Sequence, residues 1–524
     1  MTLERVILQF NILSITGQRG GTSPSAPLTK QIVMESTPII NFTDEVVSKL
    51  FGKEAAEDED FDRLQSYYIK SRTHERLTAN LPLRILVGHK GIGKSAIFTI
   101  ARHEDEANHH VSILIRPDDI ASLGKHEEDF DAIIRSWKSG LLHIITDKIC
   151  ETIHLHLPVG QEAREYGSLV TQFLPFVKQY FQKKLEDKGI TDTDKLVIEN
   201  FLRTNRIIVY VDDLDRGWES RKADIRRISA LLNAVRDLSN DNKGLQFRIS
   251  LRTDVFYLVR TSDESTDKIG DAVIWHNWTN HEILLLLIKR IESYLGRRFD
   301  INQYRKVKQR NLATFLDPVF EKYFTDRGKW ENKPMYVILM SLIRKRPRDL
   351  VKLCNAAAKC AYVNYKNKID TDSLKSIFVN YSHDRIQDTI NEYRSELKDI
   401  ERLLLNMKPS SKERKAGKGY VYTTSELHNK LYSIIQQGTF CFTNGKRATP
   451  KDLHHFLYKI NFITARKERD DGFIDRKYFE ENNYLTTGIV DFGYDWEIHP
   501  AFRWALSPDD ISSIPFNVGL SADN

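Results

Sequence analysis

The sequence predicts an α/β fold, a parallel sheet flanked by helices and followed by a smaller C-terminal module. Three stretches carry that expectation. Arg84–Val87 is a short apolar strand that runs into the glycine-rich turn Gly88-His-Lys-Gly91-Ile-Gly93-Lys94-Ser95 and then into a helical pattern over Ser95–Arg102. Arg206-Ile-Ile-Val-Tyr-Val211-Asp212-Asp213-Leu-Asp215-Arg216 places five consecutive apolar residues before a set of acids, as a strand buried on both faces does. Lys243–Leu251 reads as a further strand and ends in Arg252.

The first stretch fits G-x-x-x-x-G-K-[ST], the loop of a P-loop NTPase core, in a strand–turn–helix context. Its glycines let the backbone curl so that N–H groups face phosphate oxygens, and the positive helix N-terminus adds to the attraction. The expected nucleotide contacts are Gly88, His89, Lys90, Gly91, Ile92, Gly93, Lys94, Ser95 and Ala96. Lys94 is expected to reach the β- and γ-phosphates of ATP, and the Ser95 hydroxyl to ligate Mg2+. The second stretch is the expected Walker B partner. Asp212 would hold Mg2+ directly or through water, and Asp213 would orient or deprotonate the attacking water. Asp215 either takes part or caps the turn that follows.

Arg252, at its strand end, either senses charge at the γ-phosphate or pairs with Asp254 or Asp213. Arg344-Lys-Arg-Pro347-Arg348 opens a helix with proline at the first position. Arg348 either reaches back to the phosphates from a helical lid or belongs to a solvated basic cluster. Asn367-Lys-Ile-Asp370 matches a guanine-reading pattern but lies far beyond the loop and reads as a helix start capped by Asp370 or Thr371. ATP is therefore the expected nucleotide.

Composition narrows the rest. The chain has 524 residues and a net charge of +6 from 78 basic and 72 acidic residues, which argues against a polycation or an acidic solvating chain. With 41% apolar and 10% aromatic residues it has material for real cores. Its four cysteines form no C-x-x-C pair, which argues against a disulfide framework and a thiolate zinc site. There is no H-E-x-x-H and no G-x-S-x-G, and no nuclease, protease, deaminase or NADase constellation. The longest aliphatic run, Ile283–Ile288, is too short to span a membrane.

The expected division is a flexible N-terminal tail at 1–39 and an ATPase core at 40–300 with a helical insertion at about 128–187. A helical lid at 301–407, a basic linker at 408–420, a winged-helix-like module at 421–510 and a tail at 511–524 complete it. The apolar stretch Ile7–Ile15 lacks the basic flank of a signal peptide; the tail or a natural start at Met34 is the expectation. Asp317–Val363 and Asp372–Met407 read as helical. Thr449-Pro450-Lys-Asp452 reads as a capped helix start. Two helices with strands near Phe462–Gly472 and Tyr494–Trp504 make the winged-helix-like reading, which serves DNA contact and protein docking equally. The linker either touches nucleic-acid phosphate or is a solvated loop.

Gly88–Ser95, the strand ending Asp212-Asp213-Leu-Asp215-Arg216, the Leu251-Arg252-Thr-Asp254 strand end and Arg346-Pro347-Arg348-Asp-Leu350 together resemble the bacterial P-loop ATPases of the KAP and STAND groups. Leu50-Phe51-Gly52-Lys-Glu-Ala-Ala56-Glu57 resembles one branch of soluble members. The resemblance covers roughly residues 42–360 and lacks the membrane segments of many KAP proteins. It implies an ATP-driven switch or assembly in the bacterial cytoplasm, a homo-oligomer, encoded in many relatives in anti-phage defence loci beside a partner effector. The alternative is a DNA-binding ATPase that loads or remodels through residues 408–510, as origin-recognition proteins pair such a core with a winged helix. A third reading is a module that holds ATP structurally.

Overall fold

The computed structural model describes residues 39–108, 110–124, 129–155, 206–262, 264–415, 419–470, 472–486 and 492–507. The expectations for residues 1–38, for the insertion beyond 155 and for the tail from 511 lie outside the described residues.

Five parallel strands form the central sheet: β1 (Leu83–Val87), β2 (Val111–Ile115), β3 (Ile207–Val211), β4 (Leu245–Leu251) and β5 (Val273–Trp275), in the order β2-β3-β4-β1-β5. The glycine-loop strand β1 and the acid-bearing strand β3 are thus separated by β4. Its register sets Val87 opposite Leu251 and Ile249 opposite Val211. That brings Gly88, Asp212 and Arg252 to one carboxyl edge of the sheet, where open α/β sheets bind ligands. Every residue of β3 and β4 is buried; β3 is accordingly an unbroken apolar run, whereas β4 alternates Leu245, Phe247, Ile249 and Leu251 with the buried polar residues Gln246, Arg248 and Ser250.

Period-two alternation sends the two strand faces into different cores. Ile207, Val209 and Val211 join Ile85 and Val87 in a cluster with the helices Phe130–Leu155, Lys222–Asp241 and Thr253–Ser262. Ile208, Tyr210 and Leu86 face the helix Lys94–Ala107 and Leu77. The fold is that of a P-loop NTPase. The insertion's helical spacing holds as far as it is described, with Ile133, Trp137 and Leu141 buried.

A third core gathers the N-terminal helix Asp44–Phe51, the helix Asn280–Tyr294 and the helices Met335–Leu342 and Pro347–Val363. Thr43 caps the first of these by accepting from the Val46 N–H. The uniformly helical reading of Asp317–Val363 is corrected here. Residues 323–334 form a two-strand hairpin, β6 (Tyr323–Phe324) against β7 (Lys333–Pro334), around a short 3-10 turn at Gly328–Trp330. Gly328 at φ +84° and Asn332 at φ +53° interrupt the helix there. The reading of Asp372–Met407 as one helical run is also corrected: the helix Thr371–Tyr393 stops, and Ile400–Asn406 begins after a turn in which Leu397 bridges to Phe442.

The C-terminal part shares a core with the end of the helix Thr371–Tyr393 and with Ile400–Asn406. A four-stranded sheet in the order β10-β9-β11-β8 joins β8 (Val421–Tyr422), β9 (Ile463–Glu468), β10 (Ile474–Lys477) and β11 (Asp495–Ile498). The helices Thr424–Gln436 and Pro450–Lys459 lie between β8 and β9 in the chain, each opened by a capping box, Thr423 with Glu426 and Thr449 with Asp452. The expected two strands are therefore β9 and β11, and sequence reading missed β8 and β10. Within 408–420, Ser411–Lys415 is a short helix whose Glu413 pairs with Lys430; residues 416–418 lie outside the described residues.

Glu497 in β11 is buried between Arg476 and Arg503. Burial raises its carboxyl, but Arg476, Arg503 and Arg466 outweigh that and hold it below the usual range. Removing it takes a shared buried carboxylate from two buried cations. Glu497→Ala is therefore expected to cost about 3–5 kcal/mol, read as a lower thermal midpoint. The stabilisation is fully present above the ordinary glutamate pKa of about 4.3 and is lost only as pH falls through the lower folded value.

Candidate nucleotide-binding site

The loop Gly88–Ser95 connects β1 to the helix Lys94–Ala107, with Gly93 as the helix N-cap. Gly91 and Gly93 sit at φ +76° and +102°, where a side chain is strained. Gly91 has a second reason to be glycine. A Cβ there would stand 2.9 Å from the Cβ of Arg348. At Gly93 no atom lies within 4 Å of a Cβ position, and the residue lines a cleft of about 460 Å³. A curled loop, an open helix N-terminus and bare space in front of it fit a phosphate chain.

Lys94 donates to the carbonyls of Gly88 (2.9 Å) and His89 (3.2 Å). Burial pushes its ammonium down, while Asp215 and Asp212 pull it back up. Ser95, Asp212, Asp213 and Asp215 line the same cleft. Asp212 accepts from the Ser250 hydroxyl and from the Asp213 N–H (3.0 Å). Asp213 adopts φ +57°, which aspartate tolerates better than most residues. Burial and the neighbouring carboxylates of Asp212, Asp215 and Glu57 raise its pKa, with Lys94 opposing them.

Arg252 lines the cleft, with its guanidinium taken by acids. It meets Asp254 (3.0 and 2.6 Å) and Asp215 (3.2 Å), and it donates to the Glu392 carbonyl (2.8 Å). Burial lowers its pKa, but Asp254, Glu392 and Asp215 outweigh that and hold the charge firmly on. The pairing weighed with Asp254 is present; the one with Asp213 is replaced by Asp215.

The Arg344–Arg348 run divides by position. Arg344 is buried and bonds Asp349 (2.8 and 3.0 Å), as does Arg385 (2.8 Å). Burial raises Asp349, but Arg344 and Arg385 hold it well below its ordinary value. Arg346 is buried, reaches the Lys90 carbonyl (3.4 Å) and pairs with Glu392 (3.3 Å). Arg348 stands over the loop in the first turn of the helix Pro347–Val363. Its N–H meets the Gly91 carbonyl (3.3 Å) and its Nε donates to the Glu54 carbonyl (3.0 Å).

The remaining expected contacts divide in two. Lys90 and Ala96 line the cleft. Gly88 donates to the Leu251 carbonyl (3.2 Å), Ile92 is buried with its carbonyl taken by Trp278 Nε1 (2.8 Å), and His89 is buried away from solvent.

Several cleft residues were missed by sequence reading. Tyr67, Trp278 and Leu286 line it, as does Arg290, whose guanidinium lies 4.0 Å from the Tyr67 ring centre. His276 is buried at the end of β5 and kept neutral, pushed down to about 3 by burial and by Lys94. The stretch Gly52–Glu57, noted for its resemblance, brings Lys53, Glu54 and Glu57 to the same cleft.

A family profile described as the FunZ-associated C-terminal helical domain matches residues 282–390. The chain is 21% identical over 538 residues to an Escherichia coli K12 protein named "Putative transposon gamma-delta 80.3 kDa protein", covering 91% of this chain and 71% of that one. Among solved structures, Aeropyrum pernix ORC2 in ADPNP–ADP complexes aligns at a TM-score of 0.40 and 10% identity, over 86% of this chain and 97% of that one. Aeropyrum pernix ORC1 in complex with DNA aligns at 0.34 and 11%, over 86% and 96%.

The ion pairs separate two kinds of variant. Arg252→Ala leaves Asp254 buried without its cation and should lower the thermal midpoint of the nucleotide-free protein by the equivalent of about 3 kcal/mol. Lys94→Ala removes a cation that hydrogen-bonds two loop carbonyls and forms no close ion pair among the described residues, and should leave that midpoint within the equivalent of about 1 kcal/mol. Differential scanning calorimetry checks both.

Proposed function

We propose that this protein binds and hydrolyses ATP and uses the nucleotide cycle as a switch. One observation carries the reading: the glycine loop, Lys94, Ser95 and three strand-end carboxylates meet in one cleft, under a helix whose first turn touches the loop. Lys94 leaves its loop carbonyls for the β- and γ-phosphates. The apolar walls from Tyr67, Trp278 and Leu286 suit a planar base. Adenine is favoured over guanine because Asp370 of the Asn367–Asp370 stretch is occupied as a helix cap, accepting from the Ser373 N–H.

The Ser95 hydroxyl and the Asp212 carboxylate are the groups that would hold Mg2+. Among the described residues no cluster of three or more acidic, histidine or cysteine side chains could hold a metal. Mg2+ beside a nucleotide commonly takes one or two protein groups and completes its shell with phosphate oxygens and water. When bound it supplies neutralisation of phosphate charge. Asp213 accepts the proton of the attacking water at its carboxylate, and its raised pKa improves it as a base near neutral pH. Arg348 closes over the phosphates from the lid, and Arg252 fixes positive charge at the sheet edge while orienting Asp215.

The division into core (40–300), lid (301–407) and winged-helix-like module (421–510) serves this cycle. The KAP/STAND-like motif pattern supports a switch that assembles with copies of itself and acts through a partner protein, in a defence or mobile-element setting. The 21% identical relative named for a transposon fits that setting. The DNA-loading alternative is disfavoured by one feature. The helix Pro450–Lys459, which would have to enter a groove, is packed into the body of the protein: the His455 ring lies 5.6 Å from those of Tyr257, on the helix Thr253–Ser262, and Phe479, and Lys459 pairs with buried Glu396. No helix among the described residues is long and apolar enough to cross a membrane.

Phosphate release by the purified chain, with and without duplex DNA, tests the reading. Wild type should turn over ATP indifferently to DNA, and Lys94→Ala should neither bind nor hydrolyse it. Asp213→Ala should bind ATP while losing about 10²–10⁴-fold in turnover. Wild-type turnover should rise with pH as the raised Asp213 carboxyl ionises, and Asp213→Ala should lose that limb. Normal hydrolysis by Asp213→Ala removes the base assignment, and DNA-stimulated turnover promotes the alternative.

A further inference from the structure

His89, the second residue of the loop, does not face the cleft. It is buried, with Nδ1 3.0 Å from the Tyr393 hydroxyl and Nε2 3.0 Å from Asn461 Nδ2, and Nε2 also meets Glu480 Oε1. Asn461 in turn donates to both Glu480 oxygens (3.2 and 3.3 Å) and accepts from the Phe479 N–H (3.4 Å). Asn461 and Glu480 belong to the C-terminal part: Asn461 follows the helix Pro450–Lys459 and Glu480 follows β10.

Three details separate this contact from ordinary packing. Asn461 is 1% exposed and held at φ +57°, a conformation asparagine adopts more readily than most residues. The cluster is polar in a buried place, which costs free energy unless every group is satisfied; an apolar contact would hold two modules together without that demand. It also grips the phosphate loop itself, from a residue 372 positions away. The next loop residue is held from the same side, since the Lys90 carbonyl is reached by Arg346, which pairs with Glu392 beside Tyr393. Burial pushes the Glu480 carboxyl up to about 7, and burial with Arg346 and Lys94 nearby pushes His89 well down, so both favour their neutral forms.

We propose that Asn461 and Glu480 are positioning residues of the nucleotide site, contributed by the C-terminal module and acting through His89, so that nucleotide binding and module docking are coupled. The proposal rests on the nucleotide-binding reading above. Holding His89 fixes the start of the loop, and with it the curl that aims the Gly91–Ser95 backbone. Linkage makes the coupling reciprocal: what the docked module adds to nucleotide affinity, nucleotide adds to docking.

The test uses the full chain and a fluorescent ADP analogue. Asn461→Ala and Glu480→Ala should each weaken binding about fivefold or more. Glu480→Gln, which mimics the protonated carboxyl, should restore wild-type affinity. The double variant His89→Ala/Asn461→Ala should bind no more weakly than His89→Ala, because the two act as one unit. Hydrogen exchange over residues 456–485 should slow when ADP binds wild type, and should be indifferent to ADP in His89→Ala. Unchanged affinity in both alanine variants, or additive losses with exchange over 456–485 insensitive to ADP, overturns the coupling while leaving nucleotide binding intact. Failure of wild type to bind ADP, or equal binding by Lys94→Ala, overturns the nucleotide reading and this proposal with it.

Discussion

The approach of Gly91 to Arg348 sets where the rest of the cleft stands. With 2.9 Å between a Gly91 Cβ position and the Arg348 Cβ, the loop backbone lies directly against the first turn of the helix Pro347–Val363. That helix cannot slide, because Asp349 in its first turn is locked between buried Arg344 and Arg385. The loop is fixed on its other side by β1, where the Gly88 N–H meets the Leu251 carbonyl at the end of β4. The same strand β4 delivers Arg252. A shift in any of these partners therefore moves the loop, and a shift in the loop is felt by all of them.

Much of this geometry is built from buried charge. Arg252 with Asp254, Asp349 with Arg344 and Arg385, and Glu497 with Arg476 and Arg503 are almost fully removed from water. Such pairs give little net stability over apolar packing and are expensive to break singly. Two of the three sets flank the cleft. They act there as stops that define direction and distance, which apolar contacts do less sharply.

The parts of the fold legible in the sequence are those written in local chemistry. The loop Gly88–Ser95 announces itself because left-handed φ values and a close helix demand glycine at fixed spacings. Ile207–Val211 is legible because it is an unbroken apolar run, as a strand buried on both faces commonly is. Thr449-Pro450-Lys-Asp452 is legible because a capping box has a fixed span. Other parts depend on contacts that spacing cannot express. β5, β8 and β10 are only three, two and four residues long, too short for a period to form. The apolar stretch after Asp317 suits a helix by composition, yet Gly328 and Asn332 turn it into a hairpin. Arg252 sits at the expected strand end, and its head is held by Asp254, two residues on and visible in the sequence, together with Asp215 and Glu392, which spacing does not reveal. His89 reads as a free position of a motif, and its partners lie in another module.

A structure with Mg2+ and a non-hydrolysable ATP analogue tests the central claim most directly. The account predicts the analogue's phosphates against the Gly91–Ser95 backbone, Lys94 moved from the Gly88 and His89 carbonyls onto them, and the metal between Ser95 and Asp212. Phosphates bound elsewhere, or a Lys94 still on its loop carbonyls with the analogue present, would contradict it.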